Sequence, residues 1–166
     1  MLASRSQFHQ DSYNIIHDRL EIAEYNHSAV VDPKVVVFNI NDTVQAINGS
    51  AYFTPGVYPG VFKFVAKKYR PFPFNITLDI CDEYKKDIKV FGLNKAVELS
   101  NFKGCPCPVG LYWIHDWVLE ADKFPPHIPF GQYKLSVKLY IDDTTFLMIV
   151  NWYGSIVPKK SARSKK

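Results

Sequence analysis

The chain has few cysteines, few glycines and no long apolar run. Its 166 residues include three cysteines and eight glycines, and no apolar stretch is long enough to cross a bilayer as a helix. No cysteine–histidine spacing is typical of structural zinc, no glycine-rich loop of a phosphate site, and no motif of RNA or DNA binding. We therefore expect no metal, no cofactor and no nucleic-acid partner.

A catalytic signature is also lacking. His115 and Asp116 are neighbours in a predicted strand, so their side chains point to opposite faces and cannot form an acid–base pair. The serines lie in no nucleophile elbow. The histidines of the polar N-terminal part, His9, His17 and His27, are interpreted as ordinary surface residues. We therefore expect that the protein is not an enzyme.

Aromatic residues are abundant instead. They make up 15% of the chain, against 22% charged residues, which favours β-structure with large apolar surfaces. The length is typical of one domain with a substantial core. The predicted organisation is an N-terminal remnant without ordered structure over residues 1–11, a single domain over 12–157 and a basic tail over 158–166.

About seven to nine short strands are predicted, with one helix. Asp32-Pro33 is predicted to interrupt the strands, and a helical period over residues 82–99 predicts one short helix. Residues 111–119 are predicted to form a strand with Trp113 and Trp117 on the same face. The clearest alternation places on one face Tyr133, Leu135, Val137, Leu139 and Ile141. The pattern predicts an all-β fold with one short helix, as a sandwich or cup with an internal apolar cavity.

Four of the nine asparagines begin an Asn-x-Ser/Thr glycosylation acceptor, where ordinary usage would give about one in eight. The acceptors are Asn26, Asn41, Asn48 and Asn75. This excess favours a secreted, extracellular glycoprotein. Because residues 1–10 lack the apolar segment of a signal peptide, we expect that the signal segment is missing from this sequence.

The three cysteines allow one disulfide and leave one thiol. A crosslink from Cys81 to either Cys105 or Cys107 closes a loop of about 25 residues, which contributes about 3 to 4 kcal/mol in the chain-entropy model. The spacing alone leaves both pairings open.

A series of short motifs resembles one known family. The motifs are Cys81-Asp82, Cys105-Pro106-Cys107-Pro108, Gly110-Leu111-Tyr112, Phe124-Pro125-Pro126 and Gly131-Gln132-Tyr133-Lys134. In this order they resemble the ganglioside activator family of MD-2-related lipid-recognition proteins, and more closely its insect chemosensory (CheB-like) branch. Asn41-Asp42-Thr43 and Asn48-Gly49-Ser50 are similar to the glycosylated strand pair of that branch. The resemblance spans about residues 12–157.

The resemblance implies a disulfide, a pocket and a rim. It pairs Cys81 with Cys107 and leaves Cys105 free. It also implies a lipid held between two sheets. The predicted pocket wall consists of Val61, Phe64, Trp113, Trp117, Tyr133, Leu135, Val137, Leu139, Phe146 and Met148. The predicted rim is an exposed apolar loop with Phe124, Pro125, Pro126 and Ile128.

These observations together predict a secreted binding protein for a small apolar or lipid ligand, which carries or presents the ligand in extracellular fluid, with a role in chemosensation. Its further partners would be a membrane surface, a receptor or a hydrolase. Two alternatives remain open: a glycolipid-transfer cofactor for a hydrolase, and a cavity-free sandwich that serves as an interaction domain.

Overall fold

The computed structural model describes residues 8–54, 62–68, 76–79, 90–104, 108–141 and 145–159. Val61, Asn75 and the cysteines Cys81, Cys105 and Cys107 lie outside these ranges, as do residues 1–7 of the predicted remnant and 160–166 of the tail. The predicted disulfide therefore stays a prediction. The described residues form β1 (Tyr13–Tyr25), β2 (Val30–Asn39), β3 (Gln45–Phe53), β4 (Phe62–Lys68), β5 (Ile76–Asp79), α1 (Leu93–Glu98), β6 (Gly110–Trp117), β7 (Gly131–Ile141) and β8 (Thr145–Pro158).

The strands form two sheets. The large sheet has the order β1-β8-β7-β4-β5 and the small sheet the order β2-β3-β6. Every pairing between the described strands is antiparallel. The predicted all-β fold with one short helix is confirmed, and the two sheets are consistent with a sandwich.

The alternation in β7 extends across the large sheet. Because paired residues of antiparallel strands point to the same side, the register defines two faces. The apolar face, called the inner face below, carries the rows Leu20–Trp152–Leu135, Ile22–Val150–Val137 and Tyr25–Met148–Leu139. The outer face carries the polar rows Glu21–Asn151–Ser136 and Arg19–Tyr153–Lys134.

One core cluster joins the two sheets. Val30 of β2 and Ala51 and Phe53 of β3 pack with Leu147 and Met148 of β8. Full burial of a large apolar side chain contributes about 1.5–3 kcal/mol. Because Val30, Ala51 and Phe53 pack against the large sheet, the face of the small sheet that carries them is its inner face. It is turned toward the inner face of the large sheet.

Asp32-Pro33 does not interrupt the strands, contrary to the prediction. β2 continues through both residues with a register shift between Val31 and Lys34, and Asp32 takes a positive φ of 53°. Asp tolerates this conformation better than most residues. Pro33 lies at a bulge of an edge strand, where proline removes no required ladder hydrogen bond.

Only the second part of the predicted helical segment lies within the described residues. α1 follows a 3₁₀ turn at Val90–Gly92, while residues 82–89 lie outside the described ranges. Phe91 and Gly92 both have positive φ, 58° and 69°. A regular helix therefore cannot extend backwards through these two residues.

Candidate functional site

The inner face of β7 is the centre of the candidate site. Leu135, Val137 and Leu139 lie on it, and each is half-buried. Met148, which pairs with Leu139, is by contrast only 5% exposed. Protein interiors are packed as densely as organic crystals, so the residual exposure of these three side chains means that the described part of the chain does not cover them completely. Phe64 is placed by its backbone in β4, opposite Leu139.

Phe146 lies on the other side of the large sheet. It pairs with Tyr140, while Met148 pairs with Leu139, so the register shifts by one residue at Leu147. The rings of Phe146 and Tyr140 contact edge-to-face at 5.9 Å between centroids. The bulge therefore moves Phe146 to the outer face, contrary to its prediction as a wall residue.

The two tryptophans of β6 lie on opposite faces. Trp113 pairs with Ser50, and Trp117 pairs with Ile47. Because β3 is regular between these two partners, Ser50 and Ile47 point to opposite sides. The expectation of a shared face is wrong because β6 contains an extra residue between Ile114 and Trp117.

Trp113 belongs to the outer face of the small sheet. Its ring stacks on that of His115, with centroids 4.6 Å apart and an interplanar angle of 14°. The predicted wall position of Trp113 is thereby corrected. Trp117 shares the inner face with Ile47, which is 8% exposed, so of the two tryptophans only Trp117 can contribute to an inner wall.

The Nε1–H of Trp117 is a buried donor with no acceptor among the described residues. It has almost no accessible surface and no hydrogen-bond partner within the described part of the chain. The ring as a whole is half-buried. The inner face of β6 thus carries an apolar ring whose donor atom is enclosed.

The predicted rim loop is packed rather than exposed. Ile128 is 3% exposed and packs with Tyr13, Tyr133 and other apolar residues in a second core cluster. The Tyr13 hydroxyl donates to the Pro125 carbonyl at 2.5 Å, and the Tyr133 hydroxyl donates to the Pro129 carbonyl at 2.7 Å. Burial also raises the pKa of the Tyr13 hydroxyl. The loop therefore closes one end of the sandwich.

The exposure of the individual rim residues differs. Pro125 is buried, Phe124 is half-buried and Pro126 is exposed. The Phe124 ring lies 4.9 Å from that of Phe91, between centroids. The expectation of an exposed apolar rim is wrong for Pro125 and Ile128, because the tyrosine hydroxyls and the second cluster hold the loop inward. The large exposed side chain beside the loop is Phe130, at 58%, which the sequence interpretation did not single out.

His17 is a buried residue that was predicted to lie on the surface. It is 7% exposed, and its Nδ1 accepts a hydrogen bond from the Trp152 Nε1–H at 2.8 Å. Burial lowers the pKa of His17 to about 4. The neutral imidazole with a proton on Nε2 fits this contact. The alternation of Tyr13, Ile15 and His17 was the signal for an inward-facing position.

Gln45 connects β1 of the large sheet with β3 of the small sheet. The His17 N–H donates to Gln45 Oε1 at 2.9 Å, and Gln45 Nε2 donates to the His17 carbonyl at 2.8 Å. The pair lies where β1 has a register shift between His17 and Arg19. It satisfies backbone groups that the bulge removes from the ladder.

The described glycosylation acceptors differ in their surroundings. Asn41 is exposed between β2 and β3, and its Oδ1 accepts from the Thr43 and Val44 N–H groups at 2.9 and 3.0 Å. Asn48 accepts with Oδ1 from the Asp116 N–H at 2.8 Å. In neither Asn41 nor Asn48 do these bonds involve Nδ2, the atom to which a glycan attaches. Asn26 instead donates with Nδ2 to the Phe146 carbonyl at 3.0 Å.

A depression with a mixed polar and apolar lining lies on the outer face of the large sheet. Its volume is about 420 Å³, and it is lined by Asp18, Gln132, Tyr133, Lys134, Tyr153, Gly154 and Ser155. Tyr133 is the predicted wall residue that borders it. Beside it, Glu21 accepts hydrogen bonds from Asn151 and the Tyr153 hydroxyl, which hold the pKa of the Glu21 carboxyl below its usual value. This depression is separate from the inner face.

The described residues hold neither a metal-ligand cluster nor a membrane-spanning helix. No group of three or more His, Cys, Asp or Glu side chains there is arranged to hold a metal ion. No helix there has the length and apolar character needed to span a membrane.

Comparison with known proteins gives one partial match. Residues 60–135 match the family model described as a protein of unknown function (DUF1091), a family of the MD-2-related lipid-recognition type. The match begins before β4 and ends within β7, and it covers less than half of the chain. The chain is therefore similar to this lipid-recognition type over that segment. Comparisons with the curated proteins and with the solved structures found no match.

Proposed function

We propose that the protein is a secreted binding protein that carries or presents a small apolar or lipid ligand in extracellular fluid, with a role in chemosensation like that of the insect branch. The observation that carries the proposal is the apolar inner face of β7, on which the side chains of Leu135, Val137 and Leu139 are only half-buried. The partial similarity to a lipid-recognition family supports the same ligand class.

The driving force for such binding is burial of an alkyl chain. Each methylene that leaves water gains about 0.8 kcal/mol. A chain of about twelve carbons would gain on the order of 10 kcal/mol before ordering and association costs, which take back a large part. Because the wall is apolar, chain length and shape would control affinity more than polar groups.

The acceptor asparagines support an extracellular location. Asn41 is exposed in a turn, and Asn48 keeps its Nδ2 free of the hydrogen bond to Asp116. Expression in insect secretory cells should yield protein whose mass decreases after treatment with an Asn-glycan hydrolase. An unchanged mass would contradict the secreted assignment.

The ligand-binding proposal is tested by extraction and titration. Purified protein should release a lipid into organic solvent, and tryptophan fluorescence should change when fatty acids are added. Affinity should increase by about fourfold per methylene until the site is full. Protein that contains no lipid and a fluorescence signal indifferent to chain length would contradict the proposal. Stimulation of a glycosidase would instead assign the glycolipid-transfer role.

An exposed apolar row favours the cavity-free interaction domain as a second candidate. Val31, Tyr52 and Leu111 lie side by side on the outer face of the small sheet and are 47%, 43% and 55% exposed. Contiguous exposed apolar surface is typical of a contact site. Under this alternative, Leu111→Ser would abolish association with a partner, whereas lipid would have no effect on the protein.

A further inference from the structure

One glycosylation acceptor lies in the middle of an exposed apolar surface. Asn48 is two residues from Ser50 in regular β3 and therefore shares the outer face of the small sheet with it. On one side Asn48 pairs with Val36, which is 51% exposed. On the other side, the bulge in β6 places two residues, His115 and Asp116, opposite Asn48. Asn48 thus has an exposed apolar neighbour on one side and an exposed ring on the other.

Two stacked rings lie beside the acceptor on the same face. Ser50, the third residue of the Asn-x-Ser acceptor, pairs with Trp113. The Trp113 ring stacks on that of His115, with centroids 4.6 Å apart and an interplanar angle of 14°. The Trp113 N–H donates to Asn101 Oδ1 at 2.8 Å, which holds the strand in position. Trp113 is half-buried and His115 is exposed, so the described residues do not cover this stacked pair completely.

The Asn48 side chain is oriented by the bulge. Its Oδ1 accepts from the Asp116 N–H at 2.8 Å, and Asp116 takes a positive φ of 60° there. This bond fixes the amide group and does not involve Nδ2, the atom that would carry a glycan. Because Cβ atoms of cross-strand neighbours are about 5 Å apart, a sugar attached to Nδ2 begins within reach of the rings opposite it.

From these contacts we propose that the innermost sugar of an Asn48-linked glycan packs on the stacked pair of Trp113 and His115 and covers this part of the outer face. The C–H groups of a sugar ring suit the negative face of an aromatic ring, and the contact removes apolar surface from water. The inference rests on the extracellular location in the proposed function and is independent of lipid binding.

The test compares thermal midpoints of full-length protein secreted by insect cells. Ser50→Ala destroys the acceptor sequence and keeps Asn48, whereas Ser50→Thr preserves the acceptor sequence. We expect Ser50→Ala to unfold about 2–4 °C below the wild type, as the loss of one such contact from a chain of this size allows. Ser50→Thr should carry the glycan and unfold within about 1 °C of the wild type.

A tryptophan variant assigns the stabilisation to the ring. Trp113→Leu keeps an apolar side chain but provides no aromatic face. In this background, removal of the Asn48 glycan by Ser50→Ala should change the midpoint by less than about 1 °C, because the two substitutions remove the same contact. Wild-type protein trimmed by an endoglycosidase that leaves only the innermost sugar should keep its midpoint.

Mass spectrometry of the Asn48 peptide separates the inference from the secreted location. If Asn48 carries a glycan but Ser50→Ala lowers the midpoint equally with and without the Trp113 ring, or not at all, the inference is overturned and the location stands. If Asn41 carries a glycan and Asn48 does not, the inference alone fails. If no acceptor asparagine carries a glycan, the secreted location fails together with the inference.

Discussion

At the scale of single residues, His17 shows that polarity is a poor guide to burial. The residue belongs to a polar stretch, yet it follows Tyr13 and Ile15 at alternate positions of β1 and therefore faces inward. Its cost of burial is reduced because the imidazole is neutral and accepts from Trp152. Such a contact depends on a residue 135 positions away, so local sequence patterns do not predict it.

The buried His17 should make stability depend on pH. Burial lowers its pKa to about 4 in the folded protein, from 6.5. The unfolded chain therefore takes up the proton first as pH falls. This contribution to stability should be full above about pH 6.5, should decrease by about 3 kcal/mol between there and pH 4, and should then level off. Urea unfolding across this pH range measures the change.

Two variants show whether His17 causes this pH dependence. His17→Gln should remove most of the decrease in unfolding free energy over this range, whereas His9→Gln, on an exposed residue, should retain it. Equal pH profiles for the wild type and His17→Gln would show that other groups are responsible.

Gly154 should tolerate no larger residue. A Cβ at this position would lie 2.2 Å from the Trp152 ring and 2.4 Å from the Ile16 carbonyl oxygen. The backbone oxygen cannot move aside without disturbing the pairing of β1 with β8. We expect Gly154→Ala to lower the unfolding free energy by about 2–3 kcal/mol in chemical denaturation. Gly49→Ala, whose nearest neighbour would lie at 3.4 Å, is the matched control, and an equal loss in both variants would contradict the steric explanation.

At the scale of whole elements, the sequence predicted the side-chain faces correctly where a strand is regular and wrongly where it contains a bulge. β7 alternates strictly, so its position and its inner residues followed from the sequence. β6 and β8 contain extra residues, which exchange the faces on either side of the bulge. Trp113 and Phe146 were therefore assigned to the wrong face. Asp116, a non-glycine residue with positive φ, has no sequence signature strong enough to reveal such a bulge.

The β6 bulge should depend on Asn48. Asn48→Ala removes the acceptor of the Asp116 N–H, so we expect a loss of about 1 kcal/mol in unfolding free energy and weaker lipid binding as Trp117 loses its fixed orientation. Ser50→Ala destroys the Asn-x-Ser sequence that glycosylation requires but keeps the Asn48 side chain. It should lack the glycan and still bind lipid like the wild type. A matching loss of binding in Ser50→Ala would assign the effect to the glycan instead.

At the scale of the whole molecule, packing differs along the sandwich. Among the described residues, core clusters lie at two places, one around Phe53 and Leu147, the other around Ile128 and Ile156. On the inner face of β7, Val137 lies between Leu135 and Leu139 and remains half-buried. The proposal of a ligand site follows from this contrast. Composition and alternation predicted the two-sheet fold, but the closure of the rim loop required long-range contacts of Tyr13 and Tyr133.

The most direct measurement of the central claim is lipid affinity after one bulky substitution on each face of β7. Val137→Trp places a large ring on the inner face, whereas Lys138→Trp places the same ring on the outer face. If the inner face holds the ligand, Val137→Trp should fold with near wild-type stability and bind fatty acid at least about tenfold more weakly, because the ring occupies the ligand's space. Lys138→Trp should bind normally. A Val137→Trp protein that is destabilised by overpacking, or that binds fatty acid as the wild type does, would contradict the account.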